Sequence, residues 1–124
     1  MSWSSKLQPT VALSSTEAEY MAACVATQEA VWLRSLFHAL GFISRVPTPI
    51  HEDNRGCVAL SKNGVNHGRT KHIDIKHHFV RERVERKEVV LVPTPTVEMV
   101  ADVLTKPTGK VVFVRHRDVL LGRK

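Results

Sequence analysis

The chain has 124 residues, a formal net charge of +6 and a pI near 9.8. This length supports one domain with one core, and 43% hydrophobic and 24% charged residues are ordinary for a globular protein. No apolar run approaches the ~20 residues of a membrane span, and residues 1–6 lack the apolar core of a secretion signal. We therefore expect an intracellular protein, cytoplasmic or nuclear, without a membrane partner. Its basic charge favours polyanions such as nucleic acid.

The first third of the chain predicts a strand followed by one long helix. Residues 1–13 have the composition of a strand interrupted near Pro9. The helix begins after the hydroxyl residues at 14–16 and runs to about Leu40, because Gly41 is a typical C-terminal capping residue. The apolar stripe expected to face the core consists of Ala18, Met21, Ala22, Val25, Trp32, Leu33, Leu36 and Leu40.

Two acids stand at the beginning of this helix. Ser14 with Glu17 and Thr16 with Glu19 both have the spacing of a capping box. The two acids lie roughly 200° apart on a helical wheel, one at each edge of the apolar stripe. The pattern alone therefore leaves open which acid is a cap and which faces a site.

Strands and helices alternate through the middle of the chain. A short strand at 49–54 precedes a helix over Arg55–Asn63, a loop at 64–71, a helix at 72–86 and a buried strand at 88–93. The inward residues are expected to be Cys57, Val58, Leu60 and Ser61 in the first helix, and Ile73, His77, Val80 and Val84 in the second.

The last part of the chain predicts two further elements. Thr96 is expected to cap a short helix that contains Asp102 and ends at Lys106, before a proline. The tail at 108–124 is predicted to be helical, with a strand as the alternative. The alternation predicts an α/β fold in a single domain over 1–124.

Several kinds of site are disfavoured. Cys24 and Cys57 lack metal-ligand spacing and are expected to be buried free thiols. The five histidines between residues 51 and 78 do not have the spacing of a zinc site. The chain also has neither a nucleophile elbow nor a glycine-rich phosphate loop.

Three separated carboxylates suggest a divalent-metal site. They are Glu19 (or Glu17), Asp53 at the end of a strand, and Asp102 in the short helix. Carboxylate oxygens are hard ligands of the kind that Mg²⁺ prefers, and two such ions ~3.5–4 Å apart promote phosphodiester hydrolysis. Asp53 is the strongest candidate, because strand ends in α/β units are where sites collect.

The excess positive charge is concentrated between residues 69 and 87, where seven Lys and Arg face three acids. Phe79 is the one Phe, Tyr or Trp of this segment, so a stacking platform for single strands is not indicated. The nucleic-acid-binding candidates are Arg69, Lys71, Lys76 and Arg81.

Four segments of the sequence are distinctive when taken together. They are residues 3–22, which include Ser-Ser-Thr-Glu-Ala-Glu-Tyr-Met-Ala at 14–22; Glu-Asp-Asn at 52–54 followed by Ala-Leu-x-Lys-Asn at 59–63; Arg-Thr-Lys-His-Ile-Asp-Ile at 69–75 with His78, Phe79, Arg81 and Glu82; and Ala-Asp-x-Leu-Thr-Lys-Pro at 101–107. In order and spacing they closely resemble the ribonuclease H region of copia-type LTR-retrotransposon polyproteins.

The resemblance implies a fold, an activity and a set of site residues. The fold is a five-stranded mixed sheet flanked by helices, and the activity is cleavage of the RNA strand of an RNA–DNA hybrid. Two Mg²⁺ (or Mn²⁺) ions would be held by four acids, of which the second, third and fourth correspond to Glu19, Asp53 and Asp102. Glu17 would then be the capping residue. The basic segment at 69–87 would lie near the hybrid's backbone.

The resemblance also implies what this sequence does not contain. The family's first acid and first two strands correspond to sequence upstream of Trp3, so we expect an N-terminally truncated ribonuclease H-like sheet. The hydrolase would be complete only with the upstream segment or a second copy of the chain. The alternative is a catalytically dead remnant that serves as a basic nucleic-acid-binding or protein-interaction module. The family's binding-loop histidine has no match here.

Overall fold

The computed structural model describes residues 7, 11, 12, 14–62 and 71–123. Residues 71–74 are described by their backbone alone. The predicted strand over 1–13 therefore falls almost wholly outside the described residues, and residues 7, 11 and 12 are not in a strand. The α/β composition is confirmed. In chain order the described elements are α1 (Ser15–Ala39), β1 (Thr48–Glu52), α2 (Arg55–Lys62), α3 (Lys71–Glu85), β2 (Val89–Pro93), 3-10 helices at Thr96–Glu98 and Val100–Leu104, and α4 (Lys110–Leu120).

The ends of α1 follow the capping signals of the sequence. Ser14 is extended, and its Oγ accepts a 3.2 Å hydrogen bond from the backbone N–H of Glu17. This contact is the hydroxyl half of a capping box. At the other end Leu40 caps the helix, and Gly41 takes a φ of +88°, which a residue with a Cβ adopts only with strain.

The core face of α1 differs from the predicted stripe. Of the eight predicted residues only Met21 is buried, and Trp32 is 57% exposed. The face that packs against α3, β1 and α2 has small buried residues apart from Tyr20 and Met21. The large apolar residues of the stripe lie on a side that the described residues leave open. The buried residues of α1 are Tyr20, Met21, Ala23, Cys24, Thr27 and Ala30.

The two strands form a parallel pair. The register runs from Thr48 opposite Val89 to Glu52 opposite Pro93, and Thr94 extends the ladder by donating to the Glu52 carbonyl at 2.9 Å. Helices α2 and α3 form the connection that a parallel pair requires. The described residues thus contain a two-stranded parallel sheet, and the five-stranded mixed sheet that the resemblance implies stays a prediction.

The core lies between α1, α2, α3 and the sheet. The inward residues predicted for α2 are confirmed, with Cys57, Val58 and Ser61 buried and Leu60 half-buried. Both cysteines are buried free thiols, as expected. In α3 Val80 is buried, while His77 and Val84 are half-buried. The central cluster consists of Tyr20, Ala23, Cys24, Cys57, Val58, Val80 and Leu91.

The predicted helix capped by Thr96 is wrong. The segment forms two 3-10 helices, and the residue that precedes the first is Pro95. Met99 is extended, with φ −72° and ψ 98°, and this conformation interrupts the helical hydrogen bonds between the two turns. In the tail, where the sequence left a strand as the alternative, the structure has the helix α4. None of the described helices is both long and apolar enough to cross a membrane.

Candidate metal centre

The carboxylate of Glu52 is buried where β1 meets α2. The residue is 5% exposed, and its Oε1 accepts a 3.0 Å hydrogen bond from the backbone N–H of Asn54. Asn54 in turn caps α2, because its Oδ1 accepts the N–H of Cys57 at 3.1 Å. Burial raises the pKa of Glu52 above its ordinary value, and the Asn54 N–H partly offsets that rise.

Glu19, in the second turn of α1, extends to the same point. Carboxylate oxygens of Glu19, Glu52 and Asp53 lie within 4.8 Å of one another. Glu19 is exposed at the rim of this group. Partial removal of its carboxylate from water raises the pKa of Glu19, and the charges of Glu52 and Asp53 raise it further. The cluster therefore brings like charges together.

Asp102 lies outside this 4.8 Å group but within its electrostatic reach. Its charge adds to the rise in the pKa of Glu19. Its Oδ2 forms a 2.8 Å ion pair with Lys106 Nζ. That hydrogen bond raises the pKa of Lys106, and the charges of Asp102, Asp53 and Glu19 raise it further. Lys106 thus lies in the field of three of the site's acids.

Hydroxyl groups from the segment after β2 anchor the end of β1. Thr96 Oγ1 donates to Asp53 Oδ2 at 3.1 Å, and His51 Nδ1 lies 2.8 Å from Thr94 Oγ1. Both pairs join residues 43 positions apart, two positions beyond the 41-residue offset of the strand register. Arg55 lines a cavity of about 330 Å³ beside Asp53. Asp53 is therefore held in a fixed position at the end of the sheet.

The structure brings Glu19 and Asp53 together and places Asp102 nearby, whereas Glu17 contributes its N–H to the cap formed by Ser14. Glu52 is absent from the predicted site residues, because neighbouring residues of a strand point to opposite faces and Asp53 is the predicted ligand. The chain bends after β1, and the bend brings both side chains to one point. The sequence signal for Glu52 was its position next to Asp53 at the end of a predicted strand.

The basic segment carries less free charge than its composition suggests. Arg69 lies outside the described residues, and Lys71 is described by its backbone alone. Lys76 and Arg81 are half-buried on α3. Among the described residues, ion pairs of this segment join Arg81 to Glu85 at 3.2 Å, Arg83 to Glu88 at 3.1 Å and Arg86 to Glu82 at 2.6 Å.

The acidic cluster fits a hard divalent cation. It offers carboxylate oxygens from rigid elements, and a cation would relieve the repulsion that raises the pKa of Glu19. One oxygen of Glu52 already accepts the Asn54 N–H, and one oxygen of Asp53 accepts a hydrogen bond from Thr96 Oγ1. The role of these residues as ligands remains a prediction.

Comparison with known proteins shows which proteins have a similar sequence. No protein-family profile matches the chain, and no solved structure matches it at a significant level. The chain is homologous to a segment of retrovirus-related Pol polyproteins from plant retrotransposons.

The similarity covers most of this chain and little of each relative. The chain is 42% identical over 106 residues, 86% of its length, to the Pol polyprotein from transposon TNT 1-94 of Nicotiana tabacum. It is 42% identical over 113 residues, 91% of its length, to those from transposons RE2 and RE1 of Arabidopsis thaliana. It spans 8% of the length of each of these relatives.

Proposed function

We propose that this chain is the ribonuclease H-type endonuclease segment of a copia-type retrotransposon polyprotein, which hydrolyses RNA in RNA–DNA hybrids with two Mg²⁺ or Mn²⁺ ions. The observation that carries the proposal is the meeting of Glu19, from α1, with Asp53, from the end of β1, beside Asp102. When bound, divalent ions supply Lewis-acid chemistry for phosphodiester hydrolysis. The homology to Pol polyproteins supports this assignment.

The chain's own residues hold and orient the site. In this proposal Glu19, Asp53 and Asp102 provide the metal-facing oxygens. Thr96 fixes the orientation of Asp53 through its hydrogen bond to Oδ2. The buried carboxylate of Glu52 adds negative charge beneath the site and supports the beginning of α2. Each of the three proposed ligands belongs to a different element, so the fold determines their spacing.

The proposed substrate contacts come from the basic segment. Lys76 and Arg81 on α3, together with Arg69 and Lys71, would contact phosphates of the hybrid. Such contacts position a duplex without reading its sequence. Because Arg81 is paired with Glu85, its contribution requires exchange of one ion pair for another. We therefore expect modest affinity that weakens as salt rises.

We also propose that flanking polyprotein sequence completes the sheet. By strand alternation the backbone groups of Pro49 and His51 point away from β2, and Pro49 has no N–H to offer. A groove of about 990 Å³ adjoins this edge, and exposed Phe37 and Phe42 line it. The relatives extend far beyond the matched segment, so such sequence exists in them. A second copy of the chain is the competing occupant.

The proposed activity is tested with a hybrid whose RNA strand is end-labelled. The chain alone and a longer fragment of the same polyprotein are each incubated with hybrid and Mg²⁺, with and without chelator. We expect Mg²⁺-dependent cleavage of RNA by the longer fragment, and loss of it in Asp53→Asn. Glu17→Gln should retain it, because Glu17 serves the helix cap through its backbone N–H. Cleavage that survives Asp53→Asn would contradict the proposed role.

A second candidate function is nucleic-acid binding without catalysis. The ion pair of Lys106 with Asp102 favours it, since a resident ammonium neutralises part of the acidic cluster. In that case the longer fragment would bind hybrid in the presence of chelator, bind more weakly at high salt, and cleave nothing. Cleavage that depends on Asp53 separates the two candidates.

A further inference from the structure

Lys106 is positioned beside the acidic cluster by its own backbone turn. The carbonyl of Asp102 accepts N–H bonds from Thr105 at 3.1 Å and from Lys106 at 2.9 Å. This turn closes the second 3-10 helix and leaves the Lys106 side chain over the Asp102 carboxylate, with Nζ 2.8 Å from Oδ2. The ion pair is therefore built from residues four positions apart.

The charges around Lys106 belong to the proposed metal site. Glu19, Asp53 and Asp102 all attract its ammonium group. The same ammonium is the neighbour that opposes the repulsion acting on Glu19 from the other acids. The side chain is 48% exposed, so it is free to rotate into solvent. A divalent cation on these carboxylates would be attracted by the same charges and repelled by Lys106.

We propose that Lys106 is an internal counter-ion that stabilises the acidic cluster and is displaced when a divalent cation binds. The inference rests on the proposed function, since it takes the cluster to be a metal site. Lys106 then sets the metal affinity of the site, because its ammonium group and a metal ion compete for the same carboxylates. In the metal-bound form the Lys106 side chain turns towards solvent.

The proposal is tested by calorimetric titration of Mg²⁺ into the wild-type chain and three variants. Lys106→Met keeps the length of the side chain without its charge, and Lys106→Arg keeps the charge. Lys62→Met removes a lysine from the last turn of α2 and controls for net charge. We expect Lys106→Met to bind Mg²⁺ about fivefold more tightly, from the loss of one repelling charge at several ångströms. Lys106→Arg and Lys62→Met should stay within twofold of wild type.

A second readout is thermal unfolding, which does not depend on activity. Lys106→Met should melt at a lower temperature than wild type without Mg²⁺, and saturating Mg²⁺ should remove the difference. Unchanged or weaker Mg²⁺ binding by Lys106→Met would overturn the proposal while leaving the metal site intact. Absence of Mg²⁺ binding by the wild type and all variants would overturn this proposal, whereas the proposed function is decided separately by Asp53-dependent cleavage in the longer fragment.

Discussion

Asn54 Nδ2 donates a 3.3 Å hydrogen bond to Thr16 Oγ1 and so joins the end of β1 to the first turn of α1. Glu19 lies three residues after Thr16, and Asp53 directly precedes Asn54. The bond therefore holds the two elements that carry the proposed metal ligands at a fixed separation. Because Asn54 also caps α2, one side chain connects α1, the strand and the following helix.

Removing either partner of this bond should loosen the site. Thr16→Val removes the acceptor alone and should cost about 0.5–1 kcal/mol of unfolding free energy. Asn54→Ala also removes the cap of α2 and should cost about 1–2 kcal/mol. Urea unfolding monitored by circular dichroism measures both, with Ser15→Ala as the control for loss of an exposed hydroxyl. Equal unfolding free energies of wild type and Asn54→Ala would show that this bond does not stabilise the fold.

Gly56→Ala tests the close approach of α2 and α1. A Cβ at Gly56 would lie 3.1 Å from Asn54 Oδ1 and 3.3 Å from Thr16 Cγ2. Alanine gains about 1 kcal/mol of helix propensity, so the net change in unfolding free energy should be small. Mg²⁺ affinity should nevertheless fall severalfold, because Asn54 or Thr16 must move. Calorimetry that finds unchanged affinity would show that the two elements adjust without disturbing the carboxylates.

Glu52→Gln should change the pH dependence of stability. Burial raises the folded-state pKa of Glu52 above 4.5. The stability that its protonated carboxyl group contributes is therefore fully present below pH 4.5 and is lost as pH rises through the folded pKa. The variant should therefore gain stability relative to wild type between about pH 4.5 and neutrality.

The comparison of Glu52→Gln with wild type is made by chemical denaturation at a series of pH values. Glu29→Gln, on an exposed part of α1, controls for the loss of one acid. A constant difference between Glu52→Gln and wild type across this range would contradict a raised pKa at this position.

Leu91→Ala should be strongly destabilising. Leu91 on β2 is 2% exposed and belongs to the core cluster between the sheet and the helices. Its truncation should cost about 2–5 kcal/mol, from lost burial and the cavity that remains. Leu40→Ala is the matched control, because Leu40 is 63% exposed, and it should cost about 0.5 kcal/mol or less. Similar losses for both variants would contradict the position of the core.

The parts of the fold that depend on local signals were predictable. Ser14 and Gly41 delimit α1 because a cap hydroxyl and a left-handed glycine act on their own neighbours. The core face of α1 was not predictable in the same way. Its large residues, such as Trp32, suggested one face, but the face that is buried depends on which elements pack there. Apart from Tyr20 and Met21, that face consists of small residues.

The candidate site was also predictable only in part. Glu19 and Asp53 follow from the resemblance, and the structure brings them together. Glu52 joins them through a bend after β1 that no periodicity encodes. The segment around Asp102 forms 3-10 turns instead of the predicted helix, since the extended conformation of Met99 interrupts it. Such backbone detail arises from tertiary context and not from propensity.

The proposed divalent-metal site consists of Glu19, Asp53 and Asp102. Its most direct test is Mn²⁺ binding to the purified chain, measured from the free Mn²⁺ signal by electron paramagnetic resonance, in wild type and Asp53→Asn. We expect saturable binding by wild type and an affinity reduced roughly tenfold or more in Asp53→Asn. Equal Mn²⁺ binding by the two proteins, or none by the wild type, would contradict the proposed site.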